Sequence, residues 1–118
     1  MPVCGYENRM QIENRQHDDF PVLAISGEID LHGSPALRQA LRACAESKPK
    51  RLLVDFTGVE YIDSSGLATL IEYLRDAARF NGSIALFGLK KKVRTIFDLV
   101  RLNELFPIAD TAEEAARL

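Results

Sequence analysis

Between residues 51 and 89 the chain runs as an apolar stretch, a helical stripe and a second apolar stretch. No other feature narrows the possible folds as much. The run "RLLVDF" (51–56) is short and rich in Leu and Val, the composition of a strand covered on both faces. In the run from 64 to 80, Leu67, Leu70, Ile71, Leu74 and Ala78 recur at helical spacing, and Asn81-Gly82 is a helix stop. "SIALFGL" (83–89) reads as another buried strand. A strand, a helix and a strand in this order lie with the strands parallel, joined by a right-handed crossover.

The pattern occurs once more upstream. "FPVLAISGEI" (20–29) is a long apolar strand with Pro21 near its start, where a missing N–H is tolerated. Ser34-Pro35 then opens a helix, with Ser34 as N-cap and Pro35 at the first helical position. Leu37, Ala40, Leu41 and Cys44 continue it to about Glu46, and "SKPK" is a loop. Ahead of this unit, "RMQIENR" (9–15) alternates, with Met10 and Ile12 on one face, and "QHDD" is a polar turn. That short turn makes the first two strands an antiparallel pair.

Downstream, Val93, Ile96, Phe97 and Val100 have helical spacing, "LFPIA" is a short edge strand, and "DTAEEAARL" is a final helix with a Thr111–Glu114 capping box. The expected fold class is therefore α/β: a small mixed, largely parallel β-sheet packed with about four α-helices, in the order β-β-α-β-α-β-α-β-α. One domain spans 1–118, with its core over 9–118 and a flexible stretch at 1–8.

Composition narrows the function classes. Hydrophobic residues are 47% and charged residues 27% of 118, which suits one globular core. The net charge is −2 with no long basic or acidic block, which argues against direct contact with nucleic acid. The N-terminus lacks the apolar core of a secretory signal, and no run reaches the roughly 18 apolar residues of a membrane span. A cytoplasmic protein is expected. Cys4 and Cys44 have no metal-ligand spacing. They are read as two reduced thiols, with a disulfide as the alternative. No metal and no cofactor are expected.

In such a sheet the strand-to-helix loops gather at the carboxyl edge of the parallel strands, where ligands and partners bind. Those loops are "GEIDLHGS", "TGVEYIDSSG" and "GLKKK". In the second, Asp63 is the preferred N-cap of the following helix. It suits the positive end of the dipole and makes Ile62 and Leu67 the staple pair. Ser64 and Ser65 then occupy the first two helical positions, and Ser64 is able to point outward. A phosphate there meets free N–H groups and a favourable dipole. The same Asp-Ser-Ser-Gly run is also ordinary capping chemistry, and the residues alone leave both readings open.

Catalysis is not expected. The nucleophile-elbow, P-loop and dinucleotide signatures are absent. Asp30, His32 and Ser64 share the expected edge, but no oxyanion arrangement accompanies them. Asp30, Asp55 and Asp63 are the carboxylates that a metal would share, against a reading as one cap and two loop anchors. Lys90, Lys91 and Lys92 oppose the dipole of the helix they precede. They are either a solvated face, or a contact for an acidic partner or a phosphate on Ser64.

With these residues in place, "LLVDFTGVEYIDSSGLATLIEYLRDAARFNGSIALFGL" resembles the STAS domain, and most closely the bacterial anti-sigma factor antagonists. The marks are a strand ending in Asp, the apolar-Asp-Ser-Ser-Gly-Leu run, an amphipathic helix, Asn-Gly and a strand. "ISGEIDLHGSPALRQAL" and "VRTIFDLVRLNELFPIADTAEEAARL" extend the resemblance over about residues 9 to 118. Ala68 stands where many relatives have Gly. The resemblance implies that Ser64 is phosphorylated by a partner anti-sigma factor that is also a GHKL-type serine kinase. Phosphorylation ends the binding, and a PP2C-type phosphatase restores it. The implied docking surface comprises Asp30, His32, Ser34, Asp63, Ser65, Gly66 and an exposed Thr69, and a dimer is an open alternative. A second reading within the same family is an accessory subunit of an ABC-type lipid transporter or an anion transporter, with no phosphoserine.

Overall fold

The computed structural model describes residues 10–118. The expected strand at 9–15 is β1, Gln11–His17, and Arg9, Cys4 and the stretch 1–8 lie outside the described residues. β1 turns back into β2, Phe20–Ile29, through Asp18 and Asp19 alone, and Asp18 takes φ +51° to close so tight a hairpin. His17 therefore belongs to the strand, opposite Phe20, rather than to a four-residue turn.

Helix α1 (Ser34–Glu46), β3 (Arg51–Ile62), α2 (Ser64–Ala78) and β4 (Ser83–Phe87) follow. Then come α3 (Lys91–Leu99), a single 3₁₀ turn at Leu102–Glu104, the two-residue β5 (Ile108–Ala109) and α4 (Ala112–Arg117). The five strands lie in chain order in one sheet, β1 antiparallel and the others parallel. The α/β architecture, the mixed and largely parallel sheet and the four helices agree with the sequence-based expectation.

β3 differs from its expected length. "TGVEYI" is the second half of the strand, not a loop, because Ser26, Gly27, Glu28 and Ile29 of the long β2 provide partners as far as Ile62. The pairing survives two register shifts there. The carboxyl edge of the sheet thus lies at Ile29 and Ile62, and the residues after them leave it side by side.

The sheet is covered unequally. α1, α2 and α3 pack Leu37, Leu41, Leu67, Leu70, Val93 and Phe97 on one face, against Leu23, Ile25, Leu52, Val54, Phe56, Ile84 and Leu86. Phe97 stands edge-on to Phe56 (5.9 Å, 80°) and to Phe106 (6.2 Å, 88°), which ties α3 and the following turn to β3. On the other face the short α4 rests Ala115 on Val22, Leu53, Ala85 and Phe87. Arg51 holds the end of α4 by donating to the carbonyls of Ala115 and Ala116 at 3.0 and 3.1 Å. At the start of α4, Thr111 accepts from the Glu114 N–H as the capping box requires, and its hydroxyl lies 3.3 Å from the Glu114 carboxylate.

The buried stripe of α2 is rotated from the expected one. Gly66, Leu67, Thr69, Leu70, Tyr73 and Ala77 are buried, whereas Ala78 is exposed and Ile71 and Leu74 are half-buried. The rotation follows from packing against two surfaces at once, the sheet and α1. It turns Tyr73 inward, and burial pushes its phenol up to about 12. α2 ends as its sequence implies. Asn81 takes φ +58°, and the Gly82 N–H returns to the Ala77 carbonyl at 2.8 Å, the Schellman bond. Cys44 is a free, half-buried thiol, pushed up by burial.

Phe97→Ala removes the ring at the centre of the aromatic chain, and a loss of about 3–5 kcal/mol is expected in denaturant unfolding. The Tyr73 hydroxyl is buried with no hydrogen-bond partner among the described residues. Tyr73→Phe is therefore expected to be neutral or stabilising by up to about 1 kcal/mol in the same assay.

Candidate functional site at the carboxyl edge

The two helices α1 and α2 begin next to each other because β2 and β3 end next to each other. The last link between the strands is the Asp63 N–H on the Ile29 carbonyl, at 3.0 Å. Asp63 has extended backbone and caps α2, accepting from the N–H groups of Ser65 (2.9 Å) and Gly66 (3.3 Å). The same oxygen receives the Ser65 hydroxyl at 2.5 Å. Partial burial works to raise the Asp63 pKa. The Ser65 hydroxyl and the N–H groups of Gly66, Ser65 and Leu31 outweigh it, so the carboxyl is held below its usual range.

Asp30 organises the other loop. Its carboxylate accepts from the N–H groups of His32 and Gly33, both at 3.0 Å. Its carbonyl accepts from the N–H groups of Gly33 and Ser34 at 3.1 and 2.9 Å. This corrects the expected cap of α1. Gly33 is the N-cap, Ser34 is already helical, and Pro35 is one position further in. Asp30 serves the amides of His32, Gly33 and Ser34, so the helix begins one residue early and the Ser34 hydroxyl, no longer at the cap position, bonds elsewhere. That hydroxyl is buried, 2.8 Å from the Asp30 carbonyl and 2.9 Å from Ser65 Oγ. With the Ser65 proton given to Asp63, Ser65 Oγ accepts from Ser34, and the two helix starts are bolted together.

Thr69 is the second correction. It was expected to be exposed, but it is 1% exposed, faces α1 and donates to the Ser65 carbonyl at 2.9 Å. Thr69 is one turn beyond Ser65, on the side where α2 meets α1, so it supports the edge from beneath. Gly66 is also a packing position. A Cβ there would lie 2.6 Å from Ile29 Cγ2 and 2.8 Å from Ile62 Cγ1. Only a glycine lets the first turn of α2 sit on the ends of both strands.

Ser64 stands apart from these groups. It is exposed at the first helical position, and no hydrogen bond engages its hydroxyl among the described residues. Ser65, by contrast, is half-buried and held from both sides. His32 is exposed, and no hydrogen bond links its ring to Ser64 or Asp30 among the described residues. The three carboxylates have separate duties. Asp30 holds its loop, Asp55 accepts from the N–H and hydroxyl of Thr57 at 2.8 and 2.7 Å, and Asp63 caps α2.

Two of the three lysines are anchored. Lys90 donates to the Thr57 carbonyl at 2.7 Å, and Lys92 pairs with Glu60 at 2.8 Å, holding that carboxyl below its usual range. Sequence reasoning missed two exposed apolar side chains here, Leu31 (71%) and Tyr61 (46%). The signal was present in "DLHG", where Leu31 is an apolar residue inside the polar break that separates a strand from a helix.

Asp63→Ala is expected to cost about 0.5–2 kcal/mol through the lost cap, and Ser64→Ala to change stability by no more than about 0.5 kcal/mol. Because the folded Asp63 pKa lies below the unfolded one, its contribution is complete above about pH 4 and fades as the pH falls through the folded value. The gap in thermal midpoint between wild type and Asp63→Ala should therefore narrow in acid. Gly66→Ala should cost about 1–3 kcal/mol in the same measurement.

Residues 11–115 match the STAS domain family. The anti-sigma-B factor antagonist of Bacillus subtilis is 27% identical over 104 residues, covering 88% of this chain and 94% of that protein. The crystal structure of an anti-sigma factor antagonist from Mycobacterium paratuberculosis has a TM-score of 0.84 at 28% identity, covering 93% of both chains. The Bacillus cell fate determinant SpoIIAA in its phosphorylated form shares the fold, with a TM-score of 0.67 at 21% identity over 92% of this chain and 96% of that one. With the match spanning all five strands and reaching into the last helix, the chain belongs to the STAS domain family.

Proposed function

We propose that this chain is an anti-sigma factor antagonist whose docking is switched by phosphorylation of Ser64. Its partner is an anti-sigma factor with GHKL-type serine kinase activity, and a PP2C-type phosphatase resets the cycle. The observation that carries the reading is the contrast between two adjacent hydroxyls. Ser64 is exposed and unengaged among the described residues, while Ser65 is tied to Asp63 and Ser34. A kinase acting on this helix start reaches the first without dismantling the cap. The names of the curated relatives support the same function.

The docking surface follows from what surrounds Ser64. The Asp63 N–H on the Ile29 carbonyl and the Ser34–Ser65 hydroxyl bond set the loop of Asp30, Leu31 and His32 beside the start of α2, so Leu31 and His32 present an apolar and a polar contact near the Ser64 hydroxyl. Ser34, Ser65, Gly66 and Thr69 act beneath that surface, by fixing its shape. A phosphoryl group on Ser64 adds about −1.5 to −2 charge next to the Asp63 carboxylate. Lys90 and Lys92 are already committed to the Thr57 carbonyl and to Glu60 respectively. The surface turns strongly negative while the fold stays the same, and a partner fitted to the neutral form is repelled.

Ser64→Ala should bind the kinase partner with near wild-type affinity and keep binding it in the presence of ATP. Ser64→Asp should bind at least about tenfold more weakly. Titration calorimetry measures both. Phosphopeptide mapping after incubation with the kinase should place the phosphate on Ser64, and phosphate on Ser65 alone would overturn the assignment. Co-purification with a transporter ATPase subunit, in place of a kinase, would favour the accessory-subunit reading.

A further inference from the structure

β1 closes the strand order on one side, and among the described residues nothing pairs with its outer edge. The two-residue hairpin loop closes on the pair His17–Phe20, and the register runs without a shift to Gln11–Ser26. A two-residue loop closes on a hydrogen-bonded pair, and bonded pairs alternate along an antiparallel ladder. The N–H and C=O groups of His17, Arg15, Glu13 and Gln11 therefore face β2, and those of Ile12, Asn14 and Gln16 face outward. The side chains divide in the same rhythm. Ile12 packs on the helix-covered face, while Arg15 projects to the other face and lies 3.4 Å from Asp55. Glu13 is on the same face, 2.6 Å from Arg15, and both are more than half exposed.

We infer that the outer edge of β1 pairs antiparallel with β1 of a second copy of this chain, centred on Asn14. Centring there satisfies the outward backbone groups: Asn14 bonds to Asn14 of the copy, and Ile12 and Gln16 bond to each other's counterparts. It also places Glu13 opposite Arg15 of the copy, and Arg15 opposite Glu13. These are non-hydrogen-bonded positions, where facing side chains approach most closely. Two carboxylates and two guanidiniums then alternate in a square across the two-fold axis. No other register with the outward backbone groups bonded sets both charges against their opposites. Pairing an odd residue with an even one sets outward groups against inward ones, a centre on residue 13 or 15 sets Glu13 against Glu13 or Arg15 against Arg15 of the copy, and a centre on residue 12 or 16 sets Glu13 against Gln11 or Arg15 against His17. The strand is polar along its length, "QIENRQH", so the edge suits a matching polar strand better than an apolar peptide. The two five-stranded sheets become one continuous sheet.

Sedimentation velocity over a concentration series tests this, with the whole chain and no partner present. The wild type should show a monomer–dimer equilibrium. Glu13→Arg sets like charges opposite each other twice and should raise the dimer Kd by roughly tenfold or more. The double exchange Glu13→Arg with Arg15→Glu restores the square with its signs reversed and should return the Kd to near its wild-type value. Asn14→Pro removes an outward N–H without touching the bonds to β2, and should give a monomer with an unchanged circular dichroism spectrum. A wild type that stays monomeric at about 1 mM chain overturns the inference. So does a dimer that is indifferent to Glu13→Arg and Asn14→Pro. Phosphorylation at Ser64 is measured separately, so either result leaves the reading of that site standing or falling on its own.

Discussion

The Asp63 N–H on the Ile29 carbonyl is the last rung between β2 and β3, and the geometry of the carboxyl edge depends on it. That rung brings two chain exits side by side, so the starts of α1 and α2 compete for the same small space. The competition is resolved by hydrogen bonds. The Asp63 carboxylate accepts from the amides of Ser65 and Gly66 on one exit, and it accepts from the Ser65 hydroxyl, whose oxygen accepts from Ser34 on the other. A cap that would ordinarily serve one helix here joins two.

The polar groups beneath the surface have almost no freedom left. Ser34, Ser65 and Thr69 each give their hydroxyls to a defined acceptor, and Asp30 gathers the N–H groups of His32, Gly33 and Ser34 into a single turn. A satisfied network of this kind is rigid, because each member that moves leaves another unpaired in a poorly solvated place. Ser64 is outside the network and carries no structural duty. A group of that sort can be modified at little cost to the fold, and a rigid support converts the added charge into a change at the surface.

Much of the architecture was legible because it rests on periodicity and punctuation. The parallel β2-β3-β4 core, the hairpin, the Asn81-Gly82 stop and the Asp63 cap each follow from a local pattern. The misreadings have a common cause. Ser34 looked like a cap because Ser before Pro usually is one, yet Asp30, four residues earlier, holds the turn so that Gly33 takes that position. "TGVEYI" looked like a loop because it is polar and contains Gly58, yet β2 is long enough to keep it in the sheet. Thr69 looked exposed because it is polar, yet α1 lies over it. At Ser34 a neighbour four residues back, and in the other two cases a partner distant in the chain, overruled what the residue itself suggests.

The sequence by itself determined the order of elements, their handed crossovers and the presence of a capped helix with two serines at its start, since these depend on spacings within a few turns of chain. Only the tertiary structure decided which of the two serines is free. Ser65 is held by Ser34, thirty-one residues away, and that contact exists because the sheet aligns the ends of β2 and β3. Local spacing sets what each hydroxyl is able to reach along its own helix. Which of them is engaged depends on what the fold brings alongside.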